Sequence, residues 1–246
     1  MKLKRISMLL LLVITVFILN ACSSQRDDEV AKKLLEEKYN EEFEILAIGK
    51  RYDVLENDTF EVTAAPLYDP SLKFLAKIGK NGTWIIDEYI QVLAEKEISD
   101  RVETVAKNLY QNYAIKVYVG WGESSITNKK DFSLERYKEE IPGYPIVIDI
   151  VVNEYLSPNI NVEKEYEAFS NLFSTELPYD MGLDIFYTTN ENVEKSKTKF
   201  KEFAETYQDF YDLMEGSKKR GTGIDEGKMM VPFEAFKNQS VFNGMG

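Results

Sequence analysis

The chain has 246 residues, with 30 Lys+Arg against 42 Asp+Glu, no His and one Cys, for a formal charge of −12 at pH 7. The acid excess opposes nucleic acid, anionic lipid headgroups and wall polyanions as partners. The missing imidazole excludes Ser-His-Asp and Cys-His catalysis and the common histidine zinc sites. Apolar content of 44% and aromatic content of 13% suit a packed globular fold rather than extensive disorder.

The first segment opens with Lys2, Lys4 and Arg5 and continues into an apolar run, Met8 to Leu19, interrupted by Thr15. Twelve helical residues rise about 18 Å, against roughly 30 Å of bilayer hydrocarbon, so the run is short for a spanning helix and has the length of a secretory signal. It ends in Leu19-Asn20-Ala21-Cys22. This ending resembles the lipobox of bacterial prolipoproteins, in which an aliphatic residue, a variable residue and a small residue precede a cysteine. The resemblance implies a signal peptide over 1–21, cleavage between Ala21 and Cys22, and a diacylglyceryl group on the Cys22 thiol. Asn20 stands where that family usually has a small or hydroxylic residue. From the residues alone, a plain signal peptide or an uncleaved anchor also fits.

Two acyl chains hold a protein stably at a bilayer where one does so only marginally. The resemblance therefore places the protein at the cell membrane, on its extracytoplasmic face, with residues 22–28 as lipidated cysteine and short tether. Removing residues 1–21, which carry three basic groups and no acid, takes the formal charge from −12 to −15. With its single cysteine modified, the chain has no disulfide to rely on. The Lys-, Glu-, Ile- and Asn-rich composition points to a Gram-positive source.

After the tether, Ala31, Leu34, Leu35 and Tyr39 make one helical face over Val30 to Tyr39, with Asp27 and Asp28 favouring its N-terminus. Strand patterns follow: Phe43, Ile45 and Ala47 alternate with their neighbours, Asn57-Asp58 reads as a turn, and Phe60 to Ala64 as the next strand. Leu72 to Ile78 and Thr83 to Ile86 flank Lys80-Asn81-Gly82, a strong hairpin signal. Residues 29–87 are thus expected to form a helix on an antiparallel meander.

A long helix is expected from about Asp87 to Tyr110, with Ile90, Ala94, Ile98, Val102, Val105 and Leu109 on its apolar face. Strands and helices then alternate. Ile115, Val117, Val119 and Trp121 read as a half-buried strand, and Phe132 to Ile141 as a short helix. Ile146 to Val152 is apolar on both faces and reads as a central strand. Asn161 is a cap for a helix bearing Val162, Tyr166, Phe169 and Phe173, and Leu183 to Tyr187 is a further strand. Thr188 and Glu191 form a plausible capping box for a helix with Phe200, Phe203, Tyr207, Phe210 and Met214 on one face, ended by Gly216. Lys218-Lys219-Arg220 reads as part of a solvated Gly-rich loop, followed by a strand from Lys228 to Phe233.

The expected class is α+β: an N-terminal helix on an antiparallel meander (29–87), then a long helix and a mixed half (88–246), or one continuous domain over 29–246. A doubly wound parallel sheet is the runner-up for the second half.

Two residues stand out as binding candidates. Asp149 interrupts an apolar strand, and a buried carboxylate is costly unless paired; otherwise it faces solvent or pairs with a nearby Lys or Tyr. Trp121, before the polar stretch 122–131, is the best candidate for an exposed aromatic. Ser196-Lys197-Thr198-Lys199 matches S-x-x-K but lacks the companion motifs of serine acylases. Glu36-Glu37, Glu41-Glu42 and Glu139-Glu140 read as solvated faces, and no Ca²⁺ or phosphate loop is present. The sequence therefore implies no catalytic residue, cofactor or metal. It points to a tethered, non-catalytic module that binds another envelope or secreted protein, with small-molecule ligands left open. A solute-binding lipoprotein of an importer and a carboxylate-based envelope enzyme are the alternatives.

Overall fold

The computed structural model describes residues 27–54, 57–79, 82–120, 122, 124–141, 146–154, 160–200, 207–238 and 240–243. Cys22, Ala21 and Trp121 lie outside these residues. The protein is α+β, with an N-terminal helix followed by a strand meander and two mainly antiparallel sheets. It divides into two compact units: residues 1–92 with 123–132, and residues 93–122 with 133–246.

The first unit opens with helix α1 (27–39), whose Ala31, Leu35 and Tyr39 are buried. Strands β1 (Phe43–Val54), β2 (Asn57–Pro66), β3 (Phe74–Gly79) and β4 (Ile85–Asp87) form an antiparallel sheet in that order. Asn57 and Asp58 pair with Val54 and Asp53, so they begin β2 rather than form the expected turn. The alternation read for β1 breaks at register shifts between Ile45 and Ala47 and between Ile48 and Arg51. A bulge puts an extra residue into one strand, and it leaves Leu46 and Ala47 exposed. The β3–β4 hairpin is as expected: Gly79 N–H donates to the Trp84 carbonyl, and Gly82 has φ +68°.

Tyr39, Phe43, Phe74 and Tyr89 pack as tilted and edge-to-face rings with centroids 4.8–6.0 Å apart, the geometry ring quadrupoles favour. Asp87 joins three segments here. Its carboxylate accepts from the Tyr39 hydroxyl (2.6 Å), the Lys38 ammonium (2.8 Å) and the Tyr89 backbone N–H (3.1 Å). The last bond caps helix α2 (Tyr89–Leu109) at its N-terminus. Along α2 the buried line is Ile98, Val102, Ala106 and Tyr110, while Val105 and Leu109 are half-buried. The expected line takes one step of three, from Val102 to Val105, and so follows a fixed face; the buried line keeps steps of four and rotates about 40° around the helix at each.

In the second unit, β5 (Tyr113–Val119), helix α3 (Leu134–Glu140), β6 (Ile146–Asn153), helix α4 (Val162–Thr175) and β7 (Met181–Thr188) follow α2. Next come helices α5 (Asn190–Lys199) and α6 (Tyr207–Met214), strands β8 (Lys218–Asp225) and β9 (Lys228–Met229), helix α7 (Phe233–Phe236) and strand β10 (Ser240–Val241). The sheet order is β10-β8-β7-β6-β5, with β9 on β8. Only β6 and β7 run parallel among these pairs, so a doubly wound parallel sheet is not what forms.

Three local expectations are corrected. The stretch expected as one helix holds two, α5 and α6: Phe200 follows the end of α5, Phe203 lies outside the described residues, and Tyr207, Phe210 and Met214 belong to α6. Thr189, not Thr188, caps α5 by accepting from the Asn192 N–H, and Glu191 instead pairs with Lys195. Lys218–Arg220 lies in strand β8 rather than a solvated loop, and Arg220 is buried. As expected, Asn161 caps α4, with its side chain accepting from Glu163 and Lys164 N–H.

One face of this sheet is built around a buried carboxylate. Glu165 on α4 is fully buried and accepts from the hydroxyls of Tyr110 (2.6 Å) and Tyr187 (2.7 Å) and from the Arg220 guanidinium (3.2 Å). The guanidinium also sits 4.7 Å from the Tyr187 ring centroid. Burial, reinforced by the Glu165 charge, raises both tyrosine hydroxyls well above their ordinary range. Removing one partner of a buried pair strands the other, at roughly 3–5 kcal/mol. Glu165→Ala is therefore expected to lower stability by about that amount, and Glu165→Leu with Arg220→Met to recover most of it. Urea denaturation followed by circular dichroism checks this; a Glu165→Ala loss under about 1 kcal/mol would show that the network contributes little.

Candidate functional site

The opposite face of the same sheet carries the second group of charges. In-register pairing sets Lys116 of β5, Asp149 of β6, Asp184 of β7 and Gly221 of β8 in one row. The adjoining row runs Ala114, Val151, Phe186 and Lys219. Paired residues share a side of a sheet, so both rows face the same way. Over the second row lies an apolar cluster of Val193 from α5 and Phe210, Tyr211 and Met214 from α6 on Ala114, Val151 and Phe186.

Asp149 thus lies at the edge of a core, and the structure settles the alternatives open in the sequence: it is fully buried. Neither carboxyl oxygen has a hydrogen bond of ordinary geometry. The Tyr211 hydroxyl is the neighbour nearest to serving it, and burial together with Asp149 and Asp184 raises that hydroxyl's pKa. Asp184 is held by the Lys219 ammonium at 2.7 Å, with about a quarter of each side chain exposed. Lys116 opposes Asp149 in register, yet its ammonium sits 5.2 Å from the Tyr118 ring centroid.

Burial first, and then the Asp184 charge, push the Asp149 carboxyl up to about 8, with Lys219 and Tyr211 acting the other way. At pH 7 Asp149 is therefore mostly neutral beside an Asp184 paired with a cation. Gly221 makes this arrangement possible, because a Cβ there would fall 2.2 Å from Asp184 Oδ1. Beyond the row, a Cβ on Gly182 would meet nothing within 4 Å.

A carboxyl kept neutral beside a second one held by an ammonium group is an ingredient of acid–base chemistry. Here the neutral one is sealed from solvent, so the pair does not present two carboxyls across a cleft as glycoside hydrolysis requires. The remaining sequence candidates separate. Ser196 is buried on α5, and its hydroxyl has no partner among the described residues. Glu36 and Glu37 pair with Lys32 and Lys33, and Glu140 with Arg136, along helix surfaces. Among the described residues no three His, Cys, Asp or Glu side chains converge to hold a metal, and no helix is long and apolar enough to cross a membrane. Asp184, Lys219 and Tyr211 were not anticipated from sequence; the alternation of Leu183, Ile185 and Tyr187 around Asp184 was the one available signal.

The site and fold define a mixed α+β protein whose second sheet carries a buried carboxyl group on each face. No protein-family model matches the chain, and no curated protein does. A crystal structure of a DUF5037 family protein from Ruminococcus gnavus ATCC 29149 superposes with a TM-score of 0.64, at 20% identity, over 85% of this chain and 97% of that one. At that identity the likeness establishes a shared fold, and none of the comparisons indicates an enzyme family.

A carboxyl held protonated in the fold makes stability depend on pH. The unfolded chain releases this proton near pH 4, whereas the folded protein keeps it until about pH 8. Ionisation therefore favours the unfolded state across that window, and stability falls by up to about 1.4 kcal/mol per pH unit. Asp149→Asn is expected to remove the fall and to be more stable than wild type at pH 7, by on the order of 3 kcal/mol. Denaturation curves at pH 4.5, 6 and 7.5 check it; a wild-type stability that rises against the variant across this window contradicts the assignment.

Proposed function

We propose that the protein is an extracytoplasmic module, anchored to the cell membrane by lipid on Cys22, that binds another envelope or secreted protein without catalysing a reaction. The observation that carries the proposal is the order of parts at the N-terminus. A basic start, an apolar run too short to span and Leu19-Asn20-Ala21-Cys22 follow one another, and the cysteine is the chain's only one. The helix at residue 27 follows Cys22 by five positions, so at most about 18 Å of extended chain separates the lipid from folded protein. A lipid tether suits a module that works at a surface.

The binding part of the proposal draws on charge and on what the carboxylates do. A formal −15 over residues 22–246 favours a basic partner and opposes polyanions. Asp149, the most perturbed carboxyl, is enclosed by packed helix, and the Glu165 network is enclosed on the other face. Both serve the fold better than they serve a substrate.

The anchor is tested by membrane partition in a Gram-positive host. Wild type is expected in the membrane fraction, resisting salt and alkaline extraction and released by detergent. Cys22→Ala is expected to lose detergent-dependent release, either leaving the cell or retaining its uncut signal. Equal partition of both chains into the soluble fraction contradicts the anchor.

A further inference from the structure

Helix α1 ends at Asn40, which takes φ +53°, and the chain turns at once into Glu41 and Glu42. Leu67 N–H bonds to the Glu42 carbonyl at 2.9 Å and so ties this turn to the β2–β3 connection. Between these two segments and the stretch at Asn128–Lys130 lies a cavity of about 360 Å³. It belongs wholly to the first unit, and its volume is at the small end of ligand pockets.

The lining has two sides: an acidic and aromatic one of Glu41, Glu42, Leu67 and Tyr68, and the stretch Asn128–Lys130, whose Lys129 and Lys130 are basic. Leu67 and Tyr68 are about half exposed, so an apolar surface and an aromatic face are open at the cavity. Tyr68 is held in place from behind: its hydroxyl meets that of Tyr89 at 3.2 Å, and the Tyr89 hydroxyl donates to Glu41 at 2.7 Å. No ion pair or hydrogen bond occupies the exposed Glu42 carboxylate among the described residues. The C-terminal end of α1 adds the negative pole of a helix dipole. A π-face, a carboxylate and a helix C-terminus all attract a cation, and Leu67 supplies a bed for methylenes.

One cation is already there. The Lys129 ammonium sits 3.3 Å from the Tyr68 ring centroid, at the start of a 3-10 turn over Lys129–Asp131. No carboxylate pairs with it among the described residues. The chain's own lysine thus shows what the aromatic face accepts.

We propose that this cavity receives a lysine or arginine side chain presented by a protein partner, with Lys129 as its internal occupant in the free state. The stem of the incoming residue packs on Leu67, as long basic side chains do on apolar surface. Its head group takes the Tyr68 face and the Glu42 carboxylate and displaces Lys129. This inference rests on the partner-binding reading and names the partner's chemistry as basic.

The test uses the full-length lipidated chain in detergent micelles and blocked tripeptides as probes: acetyl-Gly-Lys-Gly-amide, acetyl-Gly-Arg-Gly-amide and, as neutral control, acetyl-Gly-Gln-Gly-amide. Affinities are read by NMR titration. The basic peptides are expected to bind at least about fivefold tighter than the glutamine peptide. Lys129→Ala vacates the ring and is expected to tighten basic peptides about threefold or more, whereas Lys33→Ala, an equal change of net charge on the exposed side of α1, does not. Tyr68→Phe keeps the ring and the preference. Tyr68→Leu, folded by its circular dichroism, loses it. No preference for the basic peptides, or a preference that survives in Tyr68→Leu, overturns the proposal. Membrane partition of the same preparation separates the two readings. A membrane-held chain without peptide preference sinks this inference alone, and peptide preference in a chain that leaves the membrane keeps the cavity while sinking the anchor.

Discussion

The second unit depends on one carboxylate. Glu165 is brought into an apolar interior by α4, and burying an isolated charge costs far more than a single hydrogen bond returns. It is tolerated because Tyr110, Tyr187 and Arg220 converge on its two oxygens from α2's end, β7 and β8. A satisfied polar network of this kind rigidifies and specifies packing more than it adds net stability. It dictates which side of β8 faces α4. By the period of two, that choice turns Lys219 and Gly221 to the other face.

The other face shows the contrasting solution to the same cost. Asp184 reaches the surface and takes Lys219, while Asp149 one strand over has no cation of its own and stays protonated instead. One sheet thus carries a fully served carboxyl on one side and a neutral, poorly served one on the other. The difference comes from neighbours: two hydroxyls and a guanidinium surround Glu165, and Asp149 has only the approach of Tyr211.

Much of the architecture was legible because it follows from periodicity and caps. The helix–meander start, the Gly82 hairpin, the Asn161 cap and the central strand at Ile146–Asn153 all carry local signals that tertiary packing left intact. Asp149 was visible as a polar break in an apolar run. Its partners were not, because Asp184 and Lys219 reach it only through strand pairing 35 and 70 positions along the chain. Glu165 was hidden for a different reason: one acid in a charged helix looks like solvent-facing surface until a buried arginine opposes it. Lys218–Arg220 misled because Gly221 and Gly223 resemble loop residues. In β8 these glycines give room to Asp184 and to Met230. The end of α5 at Lys199, just before Phe200, left no mark in the spacing of the last apolar stripe.

The proposed tie to the membrane is a single covalent bond on Cys22, and intact mass spectrometry of the membrane-extracted chain reads that bond directly. The account predicts a polypeptide beginning at Cys22 and heavier than residues 22–246 by a diacylglyceryl group, with all the added mass on the N-terminal residue after fragmentation. A chain that retains residues 1–21, or one cut elsewhere and carrying no lipid, would contradict it.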